Sequence, residues 1–155
     1  MSVQMRLSLF LENEQATDAL GAVLARHLQP GDTVLLSGPI GAGKSHLSRA
    51  LIRARLGRDE EVPSPTFTLV QTYEDPRGDI WHADLYRLTH PDDVLELGLD
   101  DAFDQAICLI EWPDRLGSSV PQDAIRISLS AKGDGRQADI SFSGRPGLAK
   151  AMQDV

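Results

Sequence analysis

Gly38, four intervening residues and then Gly43-Lys44-Ser45 spell the complete G-x-x-x-x-G-K-[ST] pattern of a phosphate-binding loop. The flanks supply the context that the pattern requires. Thr33-Val34-Leu35-Leu36 before it is a short apolar β-forming run, and Leu47, Ala50, Leu51 and Ala54 after it recur at helical steps. In a strand, loop, helix order the glycines let the backbone curl until its N–H groups converge on one hollow. The helix N-terminus then adds partial positive charge, and the lysine reaches the outer phosphates. Gly38, Pro39, Ile40, Gly41, Ala42, Gly43, Lys44 and Ser45 are therefore expected to hold the phosphates of a nucleoside triphosphate. Ser45 offers a hydroxyl to Mg2+, and Lys44 is expected to be exposed in a loop without nucleotide.

A chain of 155 residues suits one domain with a substantial core and leaves no room for a second. Its formal net charge of −8 disfavours a free-standing nucleic-acid or membrane binder, so any nucleic-acid connection is expected to run through a partner. The single cysteine, Cys108, lies within Ile107-Cys108-Leu109-Ile110 and reads as a buried small hydrophobe. No apolar stretch is long enough for a membrane span and no signal-like core follows the first residues; the cytoplasm is the expected location.

Arg6 to Phe10 alternates as an opening strand, and Asn13 caps a helix carrying Ala16, Leu20, Val23, Leu24 and Leu28 on one side. The turn Gln29-Pro30-Gly31-Asp32 leads into the strand before the phosphate loop. The helix after the loop is expected to stop at Gly57, with Arg49, Arg53 and Arg55 on a solvated outer face. Two prolines, Pro63 and Pro65, stiffen the segment that delivers Thr66. Phe67 to Tyr73 and Ile80 to Tyr86 read as a hairpin. Thr89-His90-Pro91 starts a short helix that breaks near Gly98 and resumes through Phe103. Ile107 to Ile110 is a fully apolar central strand, and Ala124–Ser130 with Arg136–Phe142 form a second hairpin. The fold class expected is α/β: a three-layer P-loop NTPase-like domain with a mixed parallel and antiparallel central sheet. That single domain spans residues 1–143, followed by a weakly structured tail over 144–155.

A phosphate loop needs a carboxylate near the metal and a group that places the attacking water. Glu111 follows the apolar strand as the acidic residue of a Walker B strand does, and would hold Mg2+ directly or through water. Asp84, in His82-Ala83-Asp84-Leu85-Tyr86-Arg87, is the other carboxylate, either an outer ligand of the metal or the group orienting water. Thr66 is similar to a switch threonine sensing the terminal phosphate. Lys44, Asp84, Glu111 and Thr66 are thus the catalytic set, with Ser45 and Glu111 as metal ligands. His82 shares Asp84's face and reads as a core or supporting histidine. The chain lacks the N-K-x-D segment that reads guanine, which favours ATP.

Four segments in this order resemble the bacterial TsaE family, formerly YjeE: the phosphate loop, Ser64-Pro65-Thr66-Phe67-Thr68-Leu69-Val70, His82 to Leu88, and Ile107 to Pro113. The resemblance covers nearly the whole chain. It implies an ATPase needed for threonylcarbamoylation of the adenosine beside the anticodon in tRNAs reading codons that begin with A. Its partners would be TsaD and TsaB, with tRNA met through their complex. It further implies that Thr17 and Arg136 flank the nucleotide. The family commonly has Gly-Asp-Leu-Gly-Ala-Gly-Lys-Thr-Thr where this chain has Gly38 to His46, so an acidic residue is lost at position 39 and His46 gained. No arginine stands out as a finger, so hydrolysis by the isolated protein is expected to be slow and stimulated by partners. The competing readings are a small-molecule kinase, which would pass the phosphate to a metabolite, a nucleotide-dependent scaffold that does not hydrolyse, and direct tRNA binding through a local basic patch, which the acidic balance counts against.

Overall fold

The computed structural model describes residues 4–58, 60–65, 67–90 and 92–155. In these the chain runs β1 (Gln4–Leu11), α1 (Glu14–His27), β2 (Thr33–Ser37), α2 (Lys44–Leu56), β3 (Val70–Tyr73), β4 (Ile80–Asp84), α3 (Asp93–Leu97), α4 (Leu99–Gln105) and β5 (Ile107–Glu111). A 3-10 segment (Pro113–Ser119), β6 (Ile125–Lys132), β7 (Gly135–Ser143) and α5 (Pro146–Gln153) complete it. One sheet takes the order β1-β7-β6-β2-β5-β4-β3. β6, β2, β5 and β4 are parallel, while β3 pairs antiparallel with β4 and β7 antiparallel with both β6 and β1. This is the mixed α/β sheet expected, with β2 and its loop at the centre.

The central strands are buried on both faces, and alternation decides which layer each side chain meets. Val34, Leu36, Ile107 and Leu109 face the layer of α1, α2 and α5, whereas Leu35, Cys108 and Ile110 face the layer of α3, α4 and the 3-10 segment. Local signals set the helix ends. Asn13 accepts a hydrogen bond from Ala16 N–H at 2.9 Å, satisfying one of the first-turn donors, and Gly57 closes α2 in the left-handed region. The break at Gly98 separates α3 from α4, and both hairpins form. Thr66 and Pro91 lie outside the described residues.

Three expectations need correction. Strand β3 begins only at Val70, because Leu69 takes a positive φ of 68° and its N–H bonds to Pro65 C=O at 2.8 Å, turning the chain first. Arg55 is buried rather than solvated: Nη1 donates to Ala25 and Leu28 C=O at 2.9 and 2.8 Å, and Nε to Asp75 at 3.3 Å. It satisfies carbonyls that the end of α1 leaves without helical partners. The tail is a docked helix. Leu148, Ala149 and Met152 of α5 join the main core, and Arg145 before it forms a two-pronged ion pair with Asp32, at 2.7 and 3.0 Å. A planar guanidinium matched to a carboxylate holds geometry as well as charge, which is why the segment does not fray.

Candidate active site

Ser37 ends β2, and the chain then turns through Gly38 with φ 142°, where an added Cβ would meet Leu129 C=O at 2.4 Å. Only glycine fits that approach. Ala42 N–H bonds to Pro39 C=O at 3.1 Å, and Gly43, left-handed, opens α2 with no side-chain cap. The first-turn amides of α2 therefore retain their donors for an anion. Ile40, 76% exposed, stands at the tip of the loop.

Lys44 corrects an expectation. It is buried, with Nζ donating to Gly38 C=O and, at 3.3 Å, to Pro39 C=O. The same ammonium lies 3.9 Å from the centre of the Trp112 ring, which leans on Tyr86 at 4.9 Å. Trp112 reaches this place because it leaves β5 with a positive φ of 60°. Burial pulls the ammonium below its ordinary pKa, and Glu111, Asp84 and Asp114 pull the other way. An ammonium held beside three carboxylates and a π face is partly desolvated, which strengthens its interaction with any phosphate that enters.

Beneath the loop, Glu111 is 2% exposed and both its oxygens are engaged. Oε1 accepts from Ser45 Oγ at 3.2 Å, and Oε2 lies 2.6 Å from His82 Nε2. His82 comes from β4, buried among Ile80 and Leu109, so its ring can be aimed from within the core. In the parallel ladder Asp84 stands directly opposite Glu111, with Oδ1 accepting from Tyr86 N–H at 3.1 Å. A cavity of about 430 Å3 brings Gly41, Lys44, Ser45, Asp84, Glu111 and Trp112 together. A second cavity, of about 400 Å3, is lined by Thr17, Gly43, His46, Gly135 and Arg136. Gly43 and His46 border both. A Cβ on Gly43 would stand 3.3 Å from Arg136 Nε, so the last hairpin lies against the phosphate loop. The pairing of Ser45 hydroxyl with Glu111 suits a hard cation that keeps water and phosphate oxygens in its shell, as Mg2+ does. Among the described residues there is no group of three or more His, Cys, Asp or Glu that could hold a metal ion.

The fold thus gathers Lys44, Ser45, Asp84 and Glu111 at one cavity and sets Thr17 and Arg136 at its neighbour. Thr66 was expected here but falls outside the described residues. Sequence reasoning gave no role to Trp112 or to Tyr86; His46, singled out there as a departure from the family's loop, pairs through Nε2 with Asp18 at 2.8 Å. Trp112 had one available signal, its place directly after Glu111.

A family model described as threonylcarbamoyl adenosine biosynthesis protein TsaE matches residues 11–138. A Rickettsia felis protein named tRNA threonylcarbamoyladenosine biosynthesis protein TsaE is 40% identical over 121 residues, covering 78% of this chain and 71% of its own. Its Bacillus subtilis namesake is 34% identical over 132 residues, 84% and 81% of the two chains. The crystal structure of Bacillus subtilis YdiB superposes with a TM-score of 0.76 at 27% identity, covering 99% of this chain and 97% of that one. No helix among the described residues is long and apolar enough to cross a membrane.

Proposed function

The chain belongs to the TsaE family, which takes part in tRNA threonylcarbamoyladenosine biosynthesis, and from that premise we propose that it is a Mg2+-dependent ATP hydrolase working with TsaD and TsaB in the cytoplasm. The observation that carries this reading is the Ser45 hydroxyl placed 3.2 Å from the Glu111 carboxylate beneath a phosphate loop. Loop amides and the start of α2 bind the phosphates, and Lys44 exchanges Gly38 and Pro39 carbonyls for phosphate oxygens. Ser45 and Glu111 would hold Mg2+, whose charge, when bound, neutralises that developing on the β- and γ-phosphate oxygens.

The remaining chemistry belongs to the chain. His82 fixes the orientation of Glu111, and Asp84 beside it faces the cavity where a water would be aligned on the γ-phosphate. Thr66 is assigned to closing over that phosphate. The base and sugar extend past Gly43 and His46 into the cavity of Thr17 and Arg136. Calorimetric titration with ATP in Mg2+ and in excess chelator tests the reading. Ser45→Ala should lose the Mg2+-dependent part of the affinity while binding without metal persists. Equal affinities with and without Mg2+ in the wild type would refute it.

A further inference from the structure

The second helical layer packs on Leu35, Ala83, Cys108 and Ile110 and leaves the outer face of β6, β7 and β1 in solvent. On that face the ladder aligns Arg6 with Ser141 and Ser141 with Arg126, so two guanidiniums flank one serine, with about 10 Å between their Cα atoms. Neither arginine has a hydrogen bond or ion pair among the described residues. The next row aligns Ser8, Asp139, Ser128 and Ser37, and a cavity of about 470 Å3 spans both rows. Ser8 and Gln137 donate to Asp139 Oδ1 at 2.7 and 3.1 Å, which holds its carboxyl below the usual range and leaves Oδ2 without a partner. One row further, Phe10 is 54% exposed, with Lys132 Nζ 6.0 Å from its ring centre.

We propose that this open sheet face binds a single-stranded or looped RNA segment, with Arg6 and Arg126 on phosphates, Asp139 Oδ2 on a 2′-hydroxyl and Phe10 stacked on a base. Arg6 and Arg126 against Asp139 make the centre of this face locally positive in a chain whose net charge is −8, and an unpaired guanidinium is the group best matched to phosphate. The hydroxyl lining has the donors that backbone contacts use, and an exposed aromatic on a sheet is the element that takes unstacked bases. A protein partner would need an apolar centre, whereas charged and hydroxyl side chains take more of the described lining positions than Leu7, Leu35, Ile127 and Ile140 do. The proposal goes beyond the ATPase reading and requires only that the family acts on tRNA.

The test is fluorescence anisotropy of a labelled anticodon stem-loop transcript with the full chain, alongside a DNA stem-loop of the same sequence and poly-glutamate. RNA should bind at low salt, and the Arg6→Ala/Arg126→Ala double variant should bind at least tenfold more weakly. The slope of log affinity against log salt should shrink by about 1.4, at roughly 0.7 per single-strand phosphate. Asp139→Asn should reduce the preference for RNA over DNA. ATP affinity, measured on the same samples, should be unchanged in these variants, which separates failure here from failure of the nucleotide site. Absence of RNA binding by the wild type, equal binding by the double variant, or equally tight, arginine-dependent binding of poly-glutamate would overturn the assignment.

Discussion

His82 Nε2 and Glu111 Oε2 lie 2.6 Å apart, both buried, on neighbouring parallel strands. This contact fixes the carboxylate that also receives the Ser45 hydroxyl, so at the proposed nucleotide site the histidine would act through Glu111. His82→Ala is expected to lower ATP hydrolysis about 10- to 100-fold and to shift the Mg2+ requirement upward, since outer partners of metal ligands have effects of that size. A Mg2+ titration of activity reads both, and His82→Gln should recover part of the loss. An unchanged Mg2+ requirement would make His82 a packing residue.

Lys44 sits on the face of Trp112, and on the proposed reading the phosphate oxygens of ATP would compete for the same ammonium. Addition of ATP should therefore change Trp112 emission. Trp112→Phe should abolish the change while Trp81 remains as the internal reference. Lys44→Ala should weaken ATP binding by at least tenfold, or about 1.4 kcal/mol.

Gly21 of α1 faces α2 so closely that a Cβ would stand 2.8 Å from Ala50 Cβ and 2.9 Å from Leu51 N. Alanine gains about 1 kcal/mol of helix preference, but forcing two helices apart costs about 1–3 kcal/mol. The backbone atom in the clash cannot swing away, so overpacking wins. Gly21→Ala should lower the midpoint of thermal unfolding, measured by circular dichroism.

Burial pushes the Cys108 thiol up to about 12, from an ordinary value of 9.0. Native protein should resist thiol-specific reagents at pH 9 and react on unfolding. Above pH 9.0 the unfolded thiol ionises while the native one keeps its proton to about pH 12. The unfolded state then binds fewer protons, so stability falls across that window. Denaturant titrations of wild type and Cys108→Val at several pH values isolate the contribution: the variant should show a shallower decline.

The parts legible in the sequence were those set by neighbours in the chain. The phosphate loop, the stop at Gly57, the break at Gly98 and both hairpins depend on local pattern and glycine placement. What escaped depends on partners far along the chain. Arg145 and Asp32, 113 positions apart, dock α5, and Arg55 turns inward because α1 ends where its guanidinium can reach two carbonyls. At the candidate site, the grouping of Lys44, Ser45, Asp84 and Glu111 around one cavity was legible in the motif segments. The burial of Lys44 was not, because it follows from the unusual backbone of Trp112.

The central claim is best tested by ATP hydrolysis of the purified protein, alone and with TsaB and TsaD, with Lys44→Ala and Glu111→Ala as controls. Slow phosphate release alone, stimulated by the partners and lost in both variants, is the predicted result. Fast partner-independent turnover, or full pathway function in Glu111→Ala without hydrolysis, would contradict it.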